Sequence, residues 1–119
     1  MNDKTDRYIK FLLSGLGIDW ESGGGSYILC GVRLCIEDTS CEYNIRQLYS
    51  AIGREYFRSV STVEREIRNT IRTAWTKREE KYWQRVFVNT ANYSEKPPVN
   101  SLFLSAMAES VRLGLFQKM

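Results

Sequence analysis

The stretch that decides the reading is Ser61-Thr-Val-Glu-Arg-Glu-Ile-Arg-Asn-Thr-Ile-Arg-Thr-Ala-Trp-Thr-Lys77. On a helical wheel its side chains separate into two arcs. Val63, Ile67, Ile71, Ala74 and Trp75 gather on one side, which must face a core. Ser61, Thr62, Arg65, Arg68, Asn69, Arg72 and Thr76 gather on the other, with Glu64 and Glu66 at the margins. The periodicity predicts a helix over 62–77. Ser61 is its expected N-cap, with Glu64 completing a Ser-x-x-Glu capping box.

Upstream, Ile45, Leu48, Tyr49, Ile52 and Tyr56 follow the spacing of one buried helical face. Asn44 is the expected cap of that helix, which should end near Phe57. Only Arg58 to Val60 is left as a break between the two helices. Two amphipathic helices joined so closely read as a helix-turn-helix unit.

The rest of the chain reads as helix with no convincing strand. Tyr8 to Leu16 predicts a short helix stopped at Gly17. Glu21 to Ser26, with glycines at 23, 24 and 25, is expected to be a flexible connector. It lacks the Gly-Lys-Ser/Thr of a phosphate loop. Tyr27 to Ile36 has strand-like composition. Ile28, Val32, Cys35 and Ile36 nevertheless share one helical stripe, so a buried helix is expected. Glu37 to Tyr43 should be a turn, and Glu79 to Val88 a helix made amphipathic by Tyr82, Trp83, Val86 and Phe87. Asn89 to Val99 should be a loop closed by Pro97 and Pro98. Asn100 or Ser101 is the expected cap of a last helix to about Leu115, with Phe103, Leu104, Met107, Ala108 and Val111 inward. The expected fold is all-α: one compact domain over 1–119 with six helices. It contains a helix-turn-helix of the winged-helix-like kind, without a clear wing.

Composition narrows the function. The 119 residues are 43% hydrophobic and 13% aromatic, which suits one globular domain. Histidine is absent, which excludes Ser-His and Cys-His nucleophile pairs and histidine metal sites. The three cysteines, Cys30, Cys35 and Cys41, have no zinc spacing. They are expected to be free thiols, with Cys30 and Cys35 in the core. No catalytic residue, metal or cofactor is expected. No apolar run reaches the roughly 18 residues of a membrane span. The charged start from Met1 to Lys10 is not a signal segment, so a cytoplasmic protein is expected.

The net charge of +3 is unevenly spread. Residues 1–45 hold four basic and seven acidic side chains, and residues 46–85 hold ten and five. A concentrated positive stretch suits a polyanion. Arginine offers a donor fork matched to guanine O6 and N7, and asparagine pairs in the same way with adenine. A glutamate such as Glu64 accepts from a cytosine amino group. Hydroxyls of Ser61 and Thr62 near a helix N-terminus suit phosphate. Glu64 and Arg68 are also a favourable i, i+4 pair, as on any solvated helix. Arg58, Arg72 and Lys77 are further expected phosphate contacts, and Arg46, Arg54, Arg78, Lys81 and Arg85 lie nearby.

The residues from Ser61 to Trp75 fit the pattern S-x-V-E-R-x-I-R-x-x-I-x-x-A-W at every fixed position. The chain thereby resembles the C-terminal effector domain of the sporulation response regulator, the stage-zero sporulation protein A family. The likeness extends through Leu16-Gly17-Ile18, Gly25-Ser26-Tyr27, Leu48, Tyr49, Ile52, Pro98, Asn100, Ser101, Phe103 and Arg112-Leu113. It implies a six-helix fold and binding to a short promoter duplex as tandem or dimeric copies. It also implies DNA-contacting roles for Glu64, Arg65, Arg68 and Asn69. Arg65 would take a guanine, Glu64 the cytosine of the complementary strand, and Arg68 a phosphate or base. Contact with RNA polymerase is a further expectation. Ser50, Asn69 and Arg72 depart from residues usual in the family, which bears on the target sequence. The effector-like part begins at once, so no receiver domain is expected within these residues. The competing expectation is a protein-interaction module that pairs with a full-length regulator or polymerase without reading DNA.

Overall fold

The computed structural model describes residues 3–38, 44–87 and 95–117, with side chains to 114. Six helices follow in order: α1 Asp3–Gly15, α2 Gly23–Glu37, α3 Ile45–Tyr56, α4 Val60–Thr76, α5 Glu80–Phe87 and α6 Asn100–Gln117. No strand occurs among the described residues, so the all-α expectation holds. Most of the expected turn over 37–43 and of the loop over 89–99 lies outside the described residues.

The α1 helix starts five residues before the expected Tyr8. Its first turn carries Asp3 and Asp6, whose charges favour the positive helix end. Polar residues without an apolar period hide such a start from a pattern reading. The helix stops where expected. Gly17 N–H donates to the Ser14 carbonyl and Ile18 N–H to that of Leu13, with Gly17 at φ 83.

Asp6 also fastens α1 to α2. Its carboxylate accepts from Arg33 Nε at 2.6 Å and lies 3.1 Å from Lys10 Nζ. Partial desolvation alone would raise its pKa. The Arg33 and Lys10 contacts outweigh that and hold it below the usual carboxylate value. A depressed folded pKa stabilises the fold above the unfolded value of 3.8, and this is lost as pH falls through the folded pKa. Asp6→Asn should therefore lower the melting temperature at neutral pH and flatten its fall below about pH 4. Melting curves from pH 2 to 7 check this.

The connector expected over 21–26 is corrected: α2 already begins at Gly23. Ser22 caps it, its Oγ accepting from Gly25 N–H at 3.1 Å. Glycine is needed here for approach rather than for a loop. A Cβ on Gly24 would stand 1.9 Å from Thr70 Oγ1 and 2.7 Å from the Glu66 carbonyl oxygen. The first turn of α2 thus rests directly on α4.

The expected buried helix over 27–36 is present, with Tyr27, Ile28, Leu29, Val32 and Cys35 in the core. It packs chiefly against α6 and α4. On α6 the residues Phe103, Leu104, Met107, Ala108 and Val111 are all buried, as their spacing predicts. Trp83 and Phe87 of α5 close the core beside Phe103, with ring centroids 5.2 to 6.0 Å apart. Trp83 Nε1 donates to the Leu16 carbonyl at 3.3 Å.

The cysteine expectation needs one correction. Cys35 is buried but disulfide-bonded. Cys30 is a free thiol, half-buried rather than in the core.

Candidate nucleic-acid interface

The corner between α3 and α4 is tight. Arg58 N–H donates to the Gly53 carbonyl at 2.9 Å. The Arg58 carbonyl in turn lies over Gly53, where a Cβ would come within 2.4 Å. Phe57 ends α3 in the left-handed conformation.

The expected cap at Ser61 is corrected to Ser59. Ser59 Oγ accepts from Thr62 N–H at 3.1 Å and donates to Thr62 Oγ1 at 2.9 Å. The helix therefore starts at Val60, two residues early, and Ser61 sits exposed in its first turn. Two serines two positions apart are equivalent in a pattern, and only backbone geometry separates them. With the cap moved, Glu64 does not close a capping box. Its carboxylate instead forms an ion pair with Arg68, the i, i+4 neighbour.

Burial sorts α4 as the wheel predicts. Val63, Ile67 and Ile71 are at most 1% exposed, and Ala74 is buried beside them. Trp75 is half-buried. The Arg78 guanidinium stacks 3.9 Å from the Trp75 ring centroid. On the outer face Ser61, Arg65, Asn69, Arg72 and Thr76 are exposed, and Thr62, Glu64 and Arg68 are half-buried. The side chains of Arg65, Asn69 and Arg72 make no hydrogen bond or ion pair among the described residues. Three polar heads capable of reading a base edge or a phosphate thus stand in water on one ridge.

The remaining basic residues divide by position. Arg58 is exposed in the corner before α4. Lys77 is exposed at the far end of α4, about 24 Å from Ser61 at 1.5 Å per residue. Those two therefore face different parts of any duplex. Arg46 and Arg54 are exposed on α3, and Lys81 and Arg85 on α5. Arg78 is already engaged, donating to Glu80 at 2.5 Å and to the Trp75 carbonyl at 3.0 Å.

One positioning contact escaped the sequence reading. Asn100, expected as a possible cap, is buried at the start of α6. Its Nδ2 donates to Tyr49 Oη at 3.1 Å and to the Glu64 carbonyl at 3.0 Å. Asn100 thereby ties α6 to both helices of the corner, at the turn of α4 that carries Glu64 and Arg65. Burial pushes the Tyr49 hydroxyl pKa up, and nearby Glu64 adds to that against the Asn100 bond and Arg68. The Tyr49 hydroxyl therefore stays neutral and accepts the Asn100 bond. An asparagine two residues after a proline pair looks like a cap in sequence, and nothing local reveals its partners 36 and 51 residues away.

No group of metal-ligating side chains occurs among the described residues. No helix there is long and apolar enough to cross a membrane. A helix-turn-helix whose second helix presents an arginine-rich face, on an all-helical body, defines a class of DNA-binding regulatory domains. The family model described as sporulation initiation factor Spo0A C terminal matches residues 9–111. The chain belongs to that family, the DNA-binding effector domains of sporulation response regulators. It is a regulatory family rather than an enzyme family.

Proposed function

We propose that this chain, as a single domain over 1–119, is a sequence-specific transcription regulator that lays α4 in the major groove of a promoter duplex. The observation that carries the reading is the exposed Arg65–Asn69–Arg72 ridge, free of partners within the described fold. Arg65 takes a guanine through its two-pronged donor edge, and Asn69 takes an adjacent base. Arg68 and Glu64 act as a pair. On the correct site Glu64 accepts from a cytosine amino group and releases Arg68 to a base or phosphate. Ser61, Thr62 and Arg58 hold phosphate at the front of α4, and Arg72 and Lys77 further along. Family membership supports this assignment. Binding as tandem or dimeric copies is part of the same proposal.

A second reading has its own support. Phe11, Leu12, Gly15, Tyr82 and Val86 line an apolar groove between α1 and α5, and Phe11 is 63% exposed. Such a surface suits pairing with another protein, a full-length regulator or polymerase, without DNA. Titrating the chain with a pool of random duplexes from 50 to 300 mM salt separates the two. Groove reading predicts binding that weakens steeply with salt, because phosphate contacts release counterions. No binding to any duplex at 50 mM salt would leave the interaction module.

A further inference from the structure

Phe57 is an anomaly at the corner. Its backbone has φ 57 and ψ 50, and no other non-glycine described residue has positive φ. Glycine and asparagine take this conformation easily, whereas a bulky side chain there is an outlier. The ring is also 89% exposed, more than any other large hydrophobic side chain described. Backbone strain and an apolar ring in water both disfavour phenylalanine, and packing within the described fold offsets neither. Strain of this kind concentrates at functional sites.

The surroundings indicate what the ring meets. Phe57 lines a shallow groove with Ser50, Arg54, Arg58 and Ser59. Arg54 and Arg58 are exposed, and neither forms an ion pair among the described residues. Ser59 caps α4 only two residues on, and two residues of chain span at most about 7 Å. A groove lined by an apolar ring and two arginines, close to a positive helix end, suits an anion joined to an apolar face. Deoxyribose beside its phosphate is that surface.

We propose that Phe57 is a DNA-contacting residue, its ring packed on a deoxyribose of the strand whose phosphate meets Arg58 and the front of α4. The inference rests on the reading of α4 as the groove helix. It extends the contact surface to a side chain without charge or hydrogen-bonding groups.

The test uses Phe57→Gly and Phe57→Asn, both suited to left-handed backbone. Each should raise the melting temperature, because strain is relieved. Each should also weaken binding to the preferred duplex about fivefold. The dependence of log affinity on log salt should keep its slope, since an apolar contact displaces no counterions. Arg58→Ala, in contrast, should make that slope shallower by about one. Variants that melt higher yet bind with the parent's affinity would overturn the proposal. If the parent itself binds no duplex, the groove reading fails first and takes this contact with it.

Discussion

Arg65→Ala is expected to keep the parent's melting temperature and to lose discrimination at one or two base pairs. Arg65 is exposed and has no partner within the described fold, so its removal leaves no buried group unpaired. Surface substitutions of this kind change stability by about 0.5 kcal/mol or less. A bidentate arginine–guanine contact carries about 1–3 kcal/mol of discrimination. The preference for the parent's best duplex over a copy changed at that pair should therefore shrink by roughly five- to 150-fold. Binding to unrelated duplexes should fall far less. The measurement is a pair of titrations, matched and substituted duplex, for parent and variant at one salt concentration. If the variant kept the full preference, Arg65 would have no part in base reading.

The second large effect concerns the support behind that ridge. Gly24→Ala is expected to destabilise the fold by about 1–3 kcal/mol, the usual range for overpacking. The sign is opposite to that of an unhindered helical glycine, where alanine gains about 1 kcal/mol. The new methyl would meet Thr70 Oγ1 and the Glu66 carbonyl, and the carbonyl cannot rotate away. α2 and α4 must then separate, tilting the ridge on the far side of α4. Gly23→Ala is the control, because a Cβ there meets nothing within 4 Å. Denaturant midpoints should fall for the first variant and hold or rise for the second. Equal midpoints would mean that α2 does not rest on α4 as described.

These two glycines show where the sequence was legible and where it was not. The two faces of α4 were readable because a 3.6-residue period needs no knowledge of partners. The same applies to the inner faces of α3 and α6, and to α2 despite its strand-like composition. Three consecutive glycines read as a connector on composition alone. Of the three, only Gly24 meets α4, more than 40 positions away in the chain, whereas Gly25 closes on the Asp19 carbonyl and the Ser22 cap. The cap moved from Ser61 to Ser59 because either hydroxyl satisfies the local rule. Asn100 was misread for the same reason as Gly24: its partners on Tyr49 and Glu64 are distant in sequence.

The candidate site was legible in its membership and less so in its internal state. The shared outer face of Arg65, Arg68, Asn69 and Arg72 follows from spacing. The Glu64–Arg68 pair was visible as an i, i+4 spacing. The structure shows that pair formed, with neighbouring Arg65 unpaired among the described residues. Phe57 carried no sequence signal, since an aromatic at a helix end ordinarily belongs to the core.

The most direct test of the central claim is a backbone amide map by NMR, recorded with and without a selected promoter duplex. The account predicts that the largest shifts cluster from Phe57 through Arg72, with α1 and the middle of α6 quiet. Shifts confined to the α1 and α5 surface around Phe11 and Tyr82, with the α4 amides unmoved, would contradict it.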